Sequence, residues 1–107
     1  MAADNAPFGL SAISVWEVCT KFRKKPHELA LTIPLGEWLR TALEPRFIRV
    51  IPVDAVIARY SNELPGAFHE DPADRIIVAT ARRDNLILLT SDQDIINYTG
   101  VRKLDTR

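Results

Sequence analysis

Apolar residues along this chain alternate between helical spacing and short continuous runs. In the first third, apolar positions recur three and four residues apart over 15–25, which predicts a helix with one apolar face. Ser14 could cap that helix, and Pro26 would stop it, because proline lacks the amide hydrogen that a helix interior needs. The apolar positions of this face are Val15, Val18, Cys19 and Phe22.

The rest of the pattern predicts further helices separated by strands. Helices are expected over 34–43, from Asp54 to about Glu63, and over 72–84, with a turn or brief helix over 91–97. Strands are expected at the end of "GLSAI", over 47–53, over 86–90 and over 101–104. The run 86–90 is continuously apolar, which is typical of a strand covered on both faces. This alternation favours an α/β fold with a central parallel sheet between helices.

A carboxylate lies at the N-terminal end of the most apolar helix face in the sequence. In the helix predicted over 72–84, Asp74 occupies the same face as Ile77, Val78 and Ala81, at positions that normally face a core. Burying an uncompensated carboxylate is costly, so a partner for Asp74 is expected.

Helix capping offers a structural interpretation of several of these acids. Asp71 followed by Pro72 has the pattern of an N-cap with proline at the first helical position, and Asp74 would then be the acidic residue of a capping box. Ser91 and Asp94 repeat that pattern before the brief helix. A cap alone, however, would not require Asp74 to lie on the apolar face.

Three acids fall where a parallel sheet would gather them at one rim. Glu17 follows the first strand, Asp74 lies in the first turn of its helix, and Asp92 follows the run 86–90. Their like charges would repel unless a cation lay among them, and carboxylates are ligands that Mg²⁺ and Mn²⁺ prefer. Glu17 also lies opposite the apolar face of its helix, which an ordinary solvated glutamate would explain.

Composition and charge limit the class of protein. The 107 residues suit one domain, and 47% hydrophobic with 26% charged residues is typical of a globular protein. With 14 basic and 14 acidic residues the formal charge is zero, so any contact with RNA would be local, for example through the basic cluster 21–25.

Cysteine and histidine counts and hydropathy exclude other classes. The single Cys19 cannot form an internal disulfide and suits a reducing cytoplasm; on its apolar stripe it would be a buried small hydrophobe. Two histidines and one cysteine argue against structural zinc. No apolar run approaches the ~20 residues that span a bilayer, and the N-terminus has no secretion-signal pattern.

His69 and Arg75 each allow two interpretations. His69 could act as a general base or bind a phosphate, or it could be an ordinary loop histidine. Arg75 could contact an RNA phosphate or pair with a nearby acid.

Three segments together resemble a known family. "SAISVWEV" (11–18), "HEDPADRIIVATA" (69–81) and "LILLTSDQDI" (86–95) resemble, in this order and spacing, the PIN domain, and more narrowly the VapC-type toxins of type II toxin–antitoxin systems. The resemblance covers nearly all of residues 9–104 of a single domain, 1–107. It implies a three-layer α/β/α fold and a cytoplasmic endoribonuclease that depends on Mg²⁺ or Mn²⁺.

The resemblance also implies roles for individual residues. Glu17, Asp74 and Asp92 would be the catalytic metal ligands, and Arg75 and Lys21 would contact the phosphates of the RNA substrate. Further side chains would lie beside the metal site: Asp71, His69 and Asp94. The implied partners are a cognate antitoxin that covers the acidic pocket and a second copy of the chain in a homodimer.

One departure from the family pattern concerns the beginning of the chain. Family members begin with a strand that ends in an "LLDTH"-like motif, whose aspartate is a metal ligand, whereas "MAADNAPFGLSAIS" runs directly into the second motif. The first strand and helix are therefore expected to be missing. This leaves a second hypothesis open: a catalytically silent, shortened PIN domain that binds an antitoxin or a second protomer.

Overall fold

The computed structural model describes residues 6–107, and the chain comprises two compact units. The first unit ends at Pro52, and the second is Val53–Arg107. Each unit contains one pair of parallel strands together with helices. The α/β class with parallel strands is thus confirmed, and the described strands form two pairs, one in each unit.

In the first unit, two parallel strands are joined by a helical crossover. Parallel neighbours need such a crossover, because a tight turn can join only antiparallel strands. The strands pair in register with Leu10 opposite Val50, and Phe8 donates a backbone hydrogen bond to the Phe47 carbonyl. The elements are β1 (Phe8–Ser11), α1 (Ala12–Lys24), α2 (Pro26–Leu29), α3 (Leu35–Ala42) and β2 (Ile48–Ile51).

Helix α1 begins earlier than the sequence pattern predicted. The N-cap is Ser11, whose Oγ accepts a hydrogen bond from the Ile13 amide at 3.2 Å, so the prediction of Ser14 was wrong. The physical reason is that β1 runs directly into the helix, and the extended residue at the junction is Ser11. Pro26 does end α1, and Cys19 is half-buried rather than fully buried.

The second unit has a helix pair followed by the second strand pair. Asp54 caps the first of these helices by accepting from the Ile57 amide at 2.9 Å, and its other carboxylate oxygen accepts from Arg83 at the end of the next helix, also at 2.9 Å. The elements are α4 (Ala55–Ser61), α5 (Pro72–Arg83), β3 (Leu88–Thr90), α6 (Gln93–Asn97) and β4 (Lys103–Asp105).

The core of the second unit forms around α5. Val78 and Ala81 are buried there, as the helical stripe predicted, and side chains that include Phe68 and Leu88 pack against them. The buried cluster consists of Val78, Ala81, Ile95, Tyr98 and Val101. On β3 the side chain of Leu89 remains 53% exposed, so in the described chain this strand is covered on one face only, and the prediction of two covered faces was wrong.

Within residues 6–107, no helix combines the length and the apolar character that crossing a bilayer requires.

Candidate metal centre

Three side chains of the second unit bring possible metal-binding atoms together. His69 lies in the loop before α5, Asp74 in the first turn of α5, and Asp92 two residues after β3. One donor atom from each of them lies within 4.8 Å of the others. Two ligands on opposite sides of one ion are about 4.2 Å apart, given metal–ligand distances of ~2.1 Å. The three side chains are therefore spaced closely enough to share one cation after a small adjustment.

Asp74 is both a capped helix residue and a member of this cluster. Asp71 is the N-cap of α5, and its Oδ1 accepts a hydrogen bond from the Asp74 amide at 3.0 Å; Pro72 is the first helical residue. The predicted cap is thus present, and it engages the backbone of Asp74. The carboxylate itself is only 22% exposed and contacts His69, so capping does not use it.

Asp92 is fixed by the helix that it begins. Its Oδ1 accepts hydrogen bonds from the amides of Asp94 at 2.9 Å and Ile95 at 3.2 Å, and its own amide donates to Thr90 Oγ1 at 3.0 Å. The capping residue is therefore Asp92, and the predicted capping box of Ser91 with Asp94 was wrong. Within the described chain, the hydrogen bonds that Asp92 accepts all go to Oδ1, which leaves Oδ2 available to a cation.

His69 presents a buried nitrogen to the two acids. Its Nε2 lies 3.1 Å from Asp74 Oδ2, close enough for an ion pair if the imidazole is protonated. The direction of this contact is nevertheless not that of a hydrogen bond, so among the described residues Nε2 is a buried polar atom without a hydrogen-bonding partner. Such an atom is costly to bury and indicates a missing partner.

Arg75 holds the loop that carries His69. Its Nε donates to the Ser61 carbonyl at 2.8 Å, and its Nη1 donates to the carbonyls of Phe68 at 3.1 Å and His69 at 3.3 Å. The guanidinium thus joins the end of α4 to the loop before α5. Its observed partners are carbonyl oxygens of the protein, while the predicted contact with RNA stays a prediction.

A tyrosine also holds this loop. The hydroxyl of Tyr98 donates to the Pro65 carbonyl at 2.6 Å, and its ring packs against Phe68 with centroids 4.8 Å apart. Phe68 in turn meets the His69 ring edge-on at 4.5 Å. The imidazole is therefore positioned by packing before any ligand arrives.

Electrostatics distinguish Asp74 from an ordinary surface acid. Partial burial raises the pKa of the Asp74 carboxyl above its usual value, and the charges of Asp71, Asp92 and Asp94 raise it further, while His69 opposes the shift. Among residues 6–107, no lysine or arginine forms an ion pair with Asp74 or Asp92. A divalent cation would supply the positive charge that this cluster lacks.

Two other predicted site residues belong to the first unit. Glu17 is exposed on α1, and its relation to the cluster of the second unit stays a prediction. Lys21 follows one turn later on α1, and its Nζ lies 3.8 Å from Glu28 on α2, an exposed pair of little energetic weight.

Comparison with known proteins establishes the family. A family model described as the PIN domain matches residues 2–101. The chain belongs to the PIN domain family. It is also similar to ribonuclease VapC22 of Mycobacterium tuberculosis (strain ATCC 25618 / H37Rv), with 32% identity over 93 residues that cover 87% of this chain and 68% of the relative. The predicted PIN domain of the VapC type is thus confirmed.

Sequence reasoning did not identify what positions the loop in this PIN domain. Tyr98 and Pro65 are 33 residues apart, and Arg75 reaches Ser61 across 14 residues, so neither contact leaves a local pattern. The one local signal is the arginine directly after Asp74, and its place in the sequence does not reveal that its partners are backbone carbonyls.

Proposed function

We propose that this PIN domain is the toxin of a type II toxin–antitoxin system and cleaves RNA as an endoribonuclease that depends on Mg²⁺ or Mn²⁺. The observation that carries the proposal is the cluster in the second unit, where donor atoms of Asp74, Asp92 and His69 lie within 4.8 Å and lack a neutralising lysine or arginine among the described residues. The likeness to a protein named as a ribonuclease supports it.

The carboxylates would hold the metal ion, and hydrogen bonds within the protein hold both aspartates in place without it. Asp92 is held through its Oδ1 by two amides, and Asp74 is held by the first turn of a capped helix. Glu17 is proposed as a further ligand from the first unit. When bound, a divalent ion supplies Lewis-acid chemistry: it lowers the pKa of a coordinated water and offsets charge on the phosphodiester.

RNA contacts are proposed at the basic residues of α1. Lys21 is exposed and lies in a cluster of cations, and both Lys21 and Lys25 pair with the carboxylate of Glu28. Because exposed ion pairs are weak, a phosphate could displace Glu28 at little cost. Arg75 could reach a phosphate only by giving up carbonyl partners, and we assign it mainly to holding the loop of His69.

The proposed partners follow from the same assignment. A cognate antitoxin would cover the acidic cluster, the chain would form a homodimer, and the protein would act in the cytoplasm. One observation favours the alternative, a catalytically silent module that binds an antitoxin or a second protomer: large apolar side chains are exposed in both units, among them Trp16 at 60% and Leu104 at 58%.

The test compares cleavage of a structured RNA in Mg²⁺, in Mn²⁺ and in excess EDTA. We expect cleavage with either metal and none with EDTA, and we expect Asp74→Asn and Glu17→Gln to lower the rate at least about 100-fold, because each removes a proposed charge at the ion. Glu63→Gln is the control, since Glu63 is exposed and its carboxylate pairs with Arg59 one turn away. Cleavage that persists in EDTA and in both variants would reject the proposal, and a folded, inactive wild type that binds antitoxin would favour the silent module.

A further inference from the structure

We infer that His69 is itself a ligand of the divalent ion, through Nε2, and that this nitrogen donor makes the centre favour first-row transition ions such as Mn²⁺ over Mg²⁺. The inference rests on the metal centre proposed above. It goes further, because it assigns a donor atom that the acidic pattern did not require and a metal preference that follows from it.

Geometry is the first argument. In an octahedral site, neighbouring ligand atoms at ~2.1 Å from the ion lie about 3.0 Å apart, and opposite ones about 4.2 Å. His69 Nε2 lies 3.1 Å from Asp74 Oδ2, which matches neighbouring ligands of one ion. One donor atom each of His69, Asp74 and Asp92 lies within 4.8 Å of the others, a limit only about half an ångström above the separation of opposite ligands.

The missing partner of Nε2 is the second argument. An imidazole that merely oriented Asp74 would donate a hydrogen bond to its carboxylate, as residues next to metal ligands commonly do. Here the two atoms are in contact, but the geometry is not that of a hydrogen bond, and Nε2 is buried. A metal ion between the two side chains would satisfy the lone pair of Nε2 and the oxygen of Asp74 together.

Preorganisation of the loop is the third argument. Two contacts hold His69: the guanidinium of Arg75 donates to its backbone carbonyl, and the ring of Phe68 packs against its imidazole. The ring of Tyr98 also packs against Phe68. A loop histidine with no ligand role would not need its ring fixed against two acids.

The chemistry of the donor then sets the metal preference. Mg²⁺ is a hard ion that takes oxygen ligands almost entirely and retains several waters. Imidazole binds first-row transition ions more strongly, in the order Mn²⁺ < Co²⁺ < Ni²⁺ at a given site. A site of two carboxylates and one imidazole should therefore bind Mn²⁺ and Co²⁺ more tightly than Mg²⁺. Removing the imidazole should make the affinities for these ions and for Mg²⁺ more nearly equal.

The experiment uses the full chain and Mn²⁺ as the probe. Pulsed electron paramagnetic resonance of bound Mn²⁺ detects ¹⁴N modulation when an imidazole is coordinated. The chain has only two histidines, so His27 on α2, which is exposed, provides a matched control. We expect ¹⁴N modulation in the wild type and in His27→Gln and its loss in His69→Gln.

Calorimetric titration gives the second readout. We expect His69→Gln to weaken the Kd for Mn²⁺ at least about 10-fold, because loss of an outer partner of a ligand already costs about 10- to 100-fold and His69 is a ligand itself. The Kd for Mg²⁺ should change less than about threefold, because Mg²⁺ gains little from nitrogen. His27→Gln should change neither.

The outcomes separate this inference from the proposed function. Wild-type protein that binds Mn²⁺ without ¹⁴N modulation would overturn the ligand role of His69, while metal-dependent RNA cleavage could stand. A Kd for Mn²⁺ that is the same in the wild type and in His69→Gln would also overturn it. Wild-type protein that binds neither ion at millimolar concentration would reject the metal centre as a whole.

Discussion

Replacing Arg75 with methionine should unfold the loop that carries His69 and destabilise the second unit. The side chain donates to three carbonyls, those of Ser61, Phe68 and His69, at 2.8, 3.1 and 3.3 Å. Methionine keeps much of the aliphatic part of the side chain and its packing, so the loss of stability reports mainly on the hydrogen bonds of the guanidinium.

The expected magnitude follows from those three contacts. A hydrogen bond to a charged group contributes about 1.5–3 kcal/mol, and simple addition would give at least ~4.5 kcal/mol. The contacts share one half-buried side chain, and water can reach some of the freed carbonyls, so we expect about 3 kcal/mol. For a chain of 107 residues this corresponds to a decrease in Tm of roughly 10–20 °C. Arg75→Lys can restore one contact in three and should cost about 2 kcal/mol.

Urea denaturation followed by far-ultraviolet circular dichroism measures this loss in the metal-free protein. Arg59→Met is the matched control, because Arg59 is an exposed arginine whose ion pair with Glu63 spans one helical turn, and it should cost less than ~0.5 kcal/mol. The Kd for Mn²⁺ should also weaken in Arg75→Met, since the loop would no longer hold His69 near Asp74.

Unchanged stability together with weaker RNA binding would refute the structural role of Arg75 and support its predicted contact with RNA. If Arg75 chiefly binds a phosphate, Arg75→Met should leave stability within about 0.5 kcal/mol of the wild type. RNA affinity should instead fall, and its dependence on log salt should become shallower by about one unit.

Two further substitutions test the same region. Tyr98→Phe removes the hydroxyl that donates to the Pro65 carbonyl and should cost about 0.5–1.5 kcal/mol in urea denaturation; an unchanged midpoint would show that water replaces the bond. Asp74→Asn should stabilise the metal-free protein at neutral pH. Burial and the charges of Asp71 and Asp92 raise the pKa of Asp74, so the native state binds this proton more tightly than the unfolded state does. The wild type therefore loses stability as the pH rises through the raised pKa, and the asparagine variant does not. The gain should vanish below the ordinary pKa of 3.8, and a variant less stable than the wild type at pH 7 in EDTA would contradict it.

Local patterns were sufficient to predict the elements that bear the acids. The N-cap at Asp71, the proline at the first helical position and the buried stripe through Val78 are all encoded within one short segment, so α5 was predicted almost to the residue. Asp92 was likewise predicted two residues after a strand, as the structure has it. Such features depend on neighbours in sequence, and for that reason periodicity and cap preferences detect them.

Contacts between distant segments could not be predicted in the same way. Whether Ser11 or Ser14 caps α1 depends on where β1 stops pairing with β2, and that is a property of the sheet. The exposure of Leu89 depends on what covers its face of the strand pair. For His69 the local pattern left two interpretations open, and only the family resemblance implied a place beside the metal site; the loop that carries it is held by Arg75 through backbone carbonyls.

The choice of aspartate at the α5 cap supports a cation site. Asparagine caps a helix about as well as aspartate does, so the cap alone does not require a charge at Asp71. The charge at Asp71 raises the pKa of Asp74 and makes the ionised, metal-free cluster less favourable. The same negative charge would attract a divalent ion, and the bound ion would neutralise the repulsion between the carboxylates. Asp71→Asn should therefore retain the helix while weakening Mn²⁺ binding, which is the combination that a purely structural cap would not produce.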